Sequence, residues 1–217
     1  MKFQTLTTLN VVTFREFIKK QNYERYILEI INRSKKIFAG KHFIYVVDQA
    51  HGECDFVDEC DQKYDAKLLF DKRQGQLIGD AKNDLREWIQ VMVDEKIEFA
   101  KSIEQRDLSY VVYTQLYGIM KKRIETVRED EIALLFIPFP VVDDYPGAVF
   151  MQWATDFLQA VYDRLKIDGH IRCKNVFFIY PSIELNVYVL RAANRNREYI
   201  RYEDLESIIS YETRVVS

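Results

Sequence analysis

The apolar residues of this chain change period near Gly40, and that change constrains the fold more than any other feature. Phe14, Phe17, Ile18, Tyr23, Tyr26, Ile27, Ile30, Ile31, Ile37 and Phe38 recur at steps of three and four, the buried stripe of a helix. Beyond Gly40, His42-Phe-Ile-Tyr-Val-Val-Asp48 is β-branched and aromatic and reads as a buried strand. Cys54–Glu59 and Lys63–Phe70 read as two more strands, joined by a hairpin centred near Cys60. Helical spacing returns from about Gly79 to Ile103, with Leu85, Trp88, Ile89, Met92 and Phe99 on one stripe, and again over Leu108–Val127. Ile132–Pro138 is a continuous apolar run of strand length, ended by prolines that cannot donate to a ladder. A helix follows over Phe150–Leu165, then strands over Asn175–Tyr180, Leu185–Leu190 and Glu198–Tyr202, and a short helix over Leu205–Ile209. The order α-β-β-β-α-(α)-β-α-β, with extra C-terminal strands, predicts an α/β fold whose mixed central sheet is flanked by helices. No repeat or Pro/Ser-rich linker divides residues 1–217, so a single domain is expected.

Composition removes several functions. Seven glycines stand against 28 Phe plus Tyr, and the one Gly-Lys, Gly40-Lys41, is followed by His42 where a phosphate loop needs Ser or Thr. No dinucleotide-binding glycine pattern is present either. Cys54, Cys60 and Cys173 are odd in number and lack paired spacing, which points to reduced thiols and a cytoplasmic protein. The longest apolar run, Ile132–Val142, is too short to span a bilayer and contains two prolines, so no membrane association is expected. The net charge of −3 conceals an asymmetry. Residues 1–50 carry nine Lys/Arg and four acids, whereas residues 51–67 carry six acids and two lysines.

That acidic stretch contains the most pointed chemistry. Period two places Asp65 and Lys67 on one face of their strand, with Tyr64, Ala66 and Leu68 on the other. If the hairpin is centred on Cys60, Asp55 lies opposite Asp65, and opposed Cβ atoms are roughly 5 Å apart. Two carboxylates that close repel unless a cation joins them. Mg²⁺ takes one or two carboxylates and keeps positions for water and a phosphate. A lysine on the same face can position the attacking water or stabilise the transition state. Four acid-x-Lys triplets occur, beginning at Asp61, Asp65, Asp80 and Asp94, but only Asp65-Ala-Lys67 sits in a predicted strand with an aspartate across a hairpin.

With Gly-x-x-Asp-Phe over residues 52–56 and Asp-x-Lys followed by Leu68 and Leu69, the αβββαβ order resembles the PD-(D/E)xK nuclease superfamily, the restriction-endonuclease-like fold. The likeness covers roughly residues 14–180, with 181–217 as a C-terminal extension. It implies a Mg²⁺- or Mn²⁺-dependent nuclease that cleaves phosphodiester bonds, with DNA as the expected partner and a homodimer as one form of the family. Asp55 and Asp65 would be the metal ligands and Lys67 the residue that positions water. Members commonly add a glutamate on the first helix. With Tyr23 as zero, the apolar stripe centres near 20°, Glu24 lies at about 100° and Glu29 at about 240°, so the role carries over to Glu24. The residue before the first aspartate, often proline in the family, is Cys54 here. The alternative function is a non-catalytic module that keeps the fold as a nucleic-acid or protein-binding scaffold.

Further contacts to nucleic acid are expected from Gln74 and Gln76, just beyond the motif strand, and from Arg191, Arg195, Arg197 and Arg201, which are interleaved with Tyr199 and Tyr202. Solvation of a loop is the stronger account of the two glutamines, and charge protection of a strand edge explains the arginines equally well. Asp61 reads as turn chemistry, and Cys54 as a small core residue.

Overall fold

The computed structural model describes residues 20–46, 54–69, 116–137, 154–181 and 186–201. Among them are three helices and seven strands in the order α1 (Lys20–Arg33), β1 (Phe43–Tyr45), β2 (Phe56–Asp58), β3 (Lys63–Leu68), α2 (116–124), β4 (Glu131–Phe136), α3 (Ala154–Ile167), β5 (Asn175–Pro181), β6 (Val187–Arg191) and β7 (Asn196–Ile200). The expected helix over Gly79–Ile103, the first half of that over Leu108–Val127, the short helix at Leu205–Ile209, and Gln74 and Gln76 lie outside the described residues.

The seven strands form one mixed sheet in chain order. β1, β2 and β3 pair antiparallel, β3, β4 and β5 parallel, and β5, β6 and β7 antiparallel. Parallel neighbours need a crossover, and α2 and α3 stand in the two connections that require one. Both helices pack on the same face: Met120, Ile124, Leu158, Val161 and Leu165 join Ala133, Leu135, Val176 and Phe178 in one core. On the opposite face, Ile27, Ile30 and Ile31 of α1 join Phe56, Tyr64, Ala66, Leu134, Phe136, Phe177 and Ile179 in a second. Central parallel strands are covered on both sides, so β4 and β5 are apolar at nearly every position. β3 departs from this rule. Tyr64 and Ala66 point into the α1 core, while Asp65 and Lys67 stand beside Ala133 and Leu135 of β4.

The β2–β3 turn fixes that register. Asp61 adopts a left-handed φ of 57°, a conformation that aspartate tolerates, and donates its N–H to the Asp58 carbonyl at 2.9 Å. The buried Asp58 carboxylate accepts from the backbone N–H groups of Cys60 and Gln62 at 3.0 Å each, from the Tyr64 hydroxyl at 2.9 Å and from the Lys41 ammonium at 2.5 Å. Asp58 belongs to the acidic stretch by sequence but is a structural staple by position.

The periodicity predicts a first helix reaching Phe38, whereas α1 ends at Arg33. A carboxylate from the far edge strand explains the difference. Glu198 of β7 is buried and accepts from the N–H groups of Lys35 at 2.7 Å, Lys36 at 3.1 Å and Ile37 at 2.9 Å, and from the Ser34 hydroxyl. Amides given to Glu198 cannot continue the ladder of α1. Burial alone would raise the Glu198 carboxyl, but these donors outweigh it and hold its pKa below the ordinary value. A depressed carboxylate contributes stability above its unfolded pKa and loses it as pH falls through the folded one. Glu198→Gln is therefore expected to cost about 2 kcal/mol near pH 7 and to lower Tm by roughly 4–8 °C. Thermal melts from pH 7 down to pH 3 should show a shallower acid-side loss in the variant. An unchanged Tm and acid slope would contradict the clamp.

Candidate active site

Four elements bring the acids together. The antiparallel register pairs Phe56 with Tyr64 and Val57 with Lys63, which brings Asp55, just before β2, alongside β3. The backbone of Asp55 still bridges both neighbours: its carbonyl accepts from the Val46 N–H at 3.0 Å and its N–H donates to the Tyr64 carbonyl at 2.9 Å. At this point the Asp55 side chain replaces a ladder partner, with Oδ2 accepting from the Ala66 N–H at 2.8 Å. The Asp55 carboxyl acts on its Asp65 neighbour by hydrogen bonding and charge, both of which raise the Asp65 pKa. Lys67, two positions along β3, places its ammonium 2.7 Å from Asp65 Oδ2.

Glu24 enters from α1, which is held against the sheet edge by Asn32. The Asn32 side chain accepts from the Phe43 N–H at 2.9 Å and donates to the Phe43 carbonyl at 3.3 Å, as a neighbouring strand would. Glu24 is fully buried, and its Oε2 accepts from the Tyr45 hydroxyl of β1 at 2.8 Å. Its Oε1 is buried and accepts no hydrogen bond among the described residues. The Lys20 ammonium, one helical turn earlier, lies 3.3 Å from that oxygen and 3.0 Å from Asp55 Oδ1. Lys20 therefore ties the glutamate to the aspartate pair.

The electrostatics are those of a site short of positive charge. Burial, reinforced by the charge of Asp55, pushes Glu24 up to about 7, with Tyr45 and Lys20 opposing it. Burial likewise pushes Asp65 up to about 7, against the pull of Lys67 and with the Asp55 carboxyl adding to the rise. Tyr23 beside them is raised by burial and then by Glu24 and Asp55. Three carboxylates and two ammonium groups leave one formal negative charge in a largely dry environment, which is costly unless another cation or a proton balances it. Among the described residues no three His, Cys, Asp or Glu side chains form a ready cage for a metal. The donor set does fit a hard divalent cation of the Mg²⁺ kind, which needs only one or two carboxylates. Burial and then the charge of Glu131 raise the Cys54 thiol, which disfavours the thiolate a nucleophile needs.

The structure thus brings Glu24, Asp55, Asp65 and Lys67 into one neighbourhood, linked through Lys20 and the Ala66 N–H. The arginines do not share one surface. Arg195 has a left-handed φ of 58° in the β6–β7 turn and pairs with Asp163 of α3 at 3.4 Å. Arg191 lies over the Phe177 ring on the α1 side of the sheet, with the ring centroid 5.9 Å away. Arg197 lies 4.8 Å from the Tyr188 ring centroid on the other face, where Tyr199 packs 5.1 Å from the same ring. Arg201, exposed just beyond β7, follows the alternation of Arg197. Lys20 and Tyr45 are the site residues that the sequence reading missed. A Lys four positions before Glu24 was a visible signal, since that order is the less favourable one for a helix ion pair and so calls for another purpose.

Comparison of the chain with protein-family models, with curated proteins and with solved structures finds no match. None of the described helices is long and apolar enough to cross a membrane.

The uncompensated charge makes a prediction about stability. Without divalent cations at pH 8, Asp65→Asn removes one negative charge from the cluster, and we expect it to stabilise the fold by about 1 kcal/mol. That gain corresponds to a Tm rise of roughly 2–4 °C. A fall in Tm would instead make Asp65 a structural partner of Lys67.

Proposed function

We propose that this chain is a metal-dependent nuclease, a hydrolase of phosphodiester bonds acting on DNA, built on a restriction-endonuclease-like core. The observation that carries the reading is Asp55 anchored on β3 by the Ala66 N–H, between the positions of Asp65 and of Lys67, whose ammonium pairs with Asp65 at 2.7 Å. The order of the first elements supports it as well: one helix, three antiparallel strands, and a fourth strand parallel to the third after a helical crossover.

In this reading Asp55 and Asp65 hold Mg²⁺ or Mn²⁺, and Glu24 contributes its Oε1 as an additional or outer ligand. Bound there, the cation supplies charge neutralisation at the phosphate and a more acidic water. Lys67 has a distinct task. Its ammonium, half-buried and fixed by Asp65, orients the attacking water or balances charge that develops on the phosphate oxygens. Asp55 is oriented for its role by the Ala66 N–H of β3, which ties its side chain to the strand that carries Asp65 and Lys67. Tyr45 holds Glu24 by Oε2 and leaves Oε1 turned to the cluster. Arg197 and Tyr199, on the exposed edge strand, offer a cation and an aromatic face for contact with the nucleic acid.

A second reading, a non-catalytic scaffold with the same fold, draws on the two ammonium groups that already balance most of the acidic charge. Supercoiled plasmid incubated with Mg²⁺ or Mn²⁺ separates the two. Nicking or linearisation by the wild type is expected, with a loss of at least about 100-fold in both Asp65→Ala and Lys67→Ala. No cleavage by the wild type, or full cleavage by the variants, would overturn the nuclease reading.

A further inference from the structure

We propose that Lys20 is an exchangeable counter-ion: its ammonium occupies the space between Glu24 and Asp55, and a divalent cation enters only as that ammonium leaves. The inference rests on the divalent-cation reading of the same site and adds to it a rule for how the site is filled.

The two acids and the lysine differ sharply in how they are held. The Glu24 and Asp55 side chains are 0% and 1% exposed, whereas that of Lys20 is 55% exposed. Each acid is fixed by a second contact at its other oxygen, Glu24 by the Tyr45 hydroxyl and Asp55 by the Ala66 N–H. The carboxylates are thus a rigid pair of walls, and the lysine reaches in from solvent on a flexible four-carbon stem. Its ammonium is placed at both of the oxygens left over, Glu24 Oε1 and Asp55 Oδ1. Among the described residues Glu24 Oε1 has no regular hydrogen-bond donor, and the Lys20 ammonium 3.3 Å away supplies its countercharge.

Charge counting decides between exchange and simple addition. Glu24, Asp55 and Asp65 with Lys20 and Lys67 sum to −1. Adding a divalent cation with Lys20 still in place gives +1, and exchanging it for Lys20 gives 0. Only exchange leaves a buried cluster neutral, and buried net charge of either sign is costly. Lys67 is the poorer candidate for displacement, being 23% exposed and 2.7 Å from Asp65. Exchange also spares the metal-free protein an open pair of buried carboxylates, because one cation or the other is always present.

The test is calorimetric titration of the full chain with MnCl₂ at pH 8, for wild type and Lys20→Met, which keeps the stem and removes the charge. Lys20→Met is expected to bind Mn²⁺ about tenfold more tightly, the worth of one competing charge at a half-exposed site. Its metal-free Tm should fall below that of the wild type, and Mn²⁺ should close the gap. Equal or weaker binding in Lys20→Met, with binding retained by the wild type, overturns the exchange and leaves the cation reading standing. No binding by either protein overturns both. If Lys20→Met does not fold, amine acetylation of the wild type read by mass spectrometry decides the matter. Labelling at Lys20 should rise several-fold when Mn²⁺ is added, relative to the exposed Lys35 and Lys36. Unchanged or reduced labelling contradicts the proposal.

Discussion

The register between β2 and β3 is the constraint on which the rest depends. A slip of one residue would turn Asp65 and Lys67 into the α1 core and drive Tyr64 and Ala66 out of it. The turn prevents this by local means. Asp61 accepts the left-handed conformation, and Asp58 gathers two turn amides, the Tyr64 hydroxyl and the Lys41 ammonium onto one buried carboxylate. Tyr64 then belongs both to the staple and to the aromatic core, where its ring meets Phe38 and Phe43. Fixing the turn therefore fixes the face on which the charged residues emerge.

β3 carries a cost that its neighbours avoid. β4 and β5 fill both faces with apolar side chains, and a strand in their position with the same composition would be more stable. Instead β3 spends one face on Asp65 and Lys67, with Asp55 opposite and Glu24 approaching from α1. Burial raises Asp65 and Glu24 well above the usual carboxylate range, and two lysines offset only part of the negative charge. Perturbation of this kind concentrates where a protein binds or reacts. The remaining structure supports the arrangement at a distance: Asn32 locks α1 to β1, and Glu198 fixes where α1 stops.

Much of this was legible in the sequence, for reasons that are local. The hairpin centre at Cys60 followed from two short β runs placed symmetrically around a polar turn, and it put Asp55 against Asp65. Glu24 followed from the resemblance, which asks for a glutamate on the first helix, with helical geometry choosing it over Glu29. The β4 run was recognisable because buried parallel strands are continuously apolar. What escaped was set by distant partners. The end of α1 depends on Glu198, more than 160 residues away in the chain, and helical periodicity through Ile37 and Phe38 carries no trace of it. Composition grouped the C-terminal arginines, but strand alternation divides them, with Arg191 on one face and Arg197 on the other. Lys20 carries only the weak signal of its order relative to Glu24, because exposed lysines on amphipathic helices are ordinary, and its reach to Asp55 depends on the fold.

The most direct measurement is anomalous X-ray scattering from crystals of the full chain soaked in Mn²⁺. A peak should lie within about 2.5 Å of a carboxylate oxygen from both Asp55 and Asp65, with the Lys20 ammonium withdrawn from the site. A soaked crystal with no Mn²⁺ at that pair, or with Mn²⁺ held only elsewhere on the molecule, would contradict the metal-dependent site.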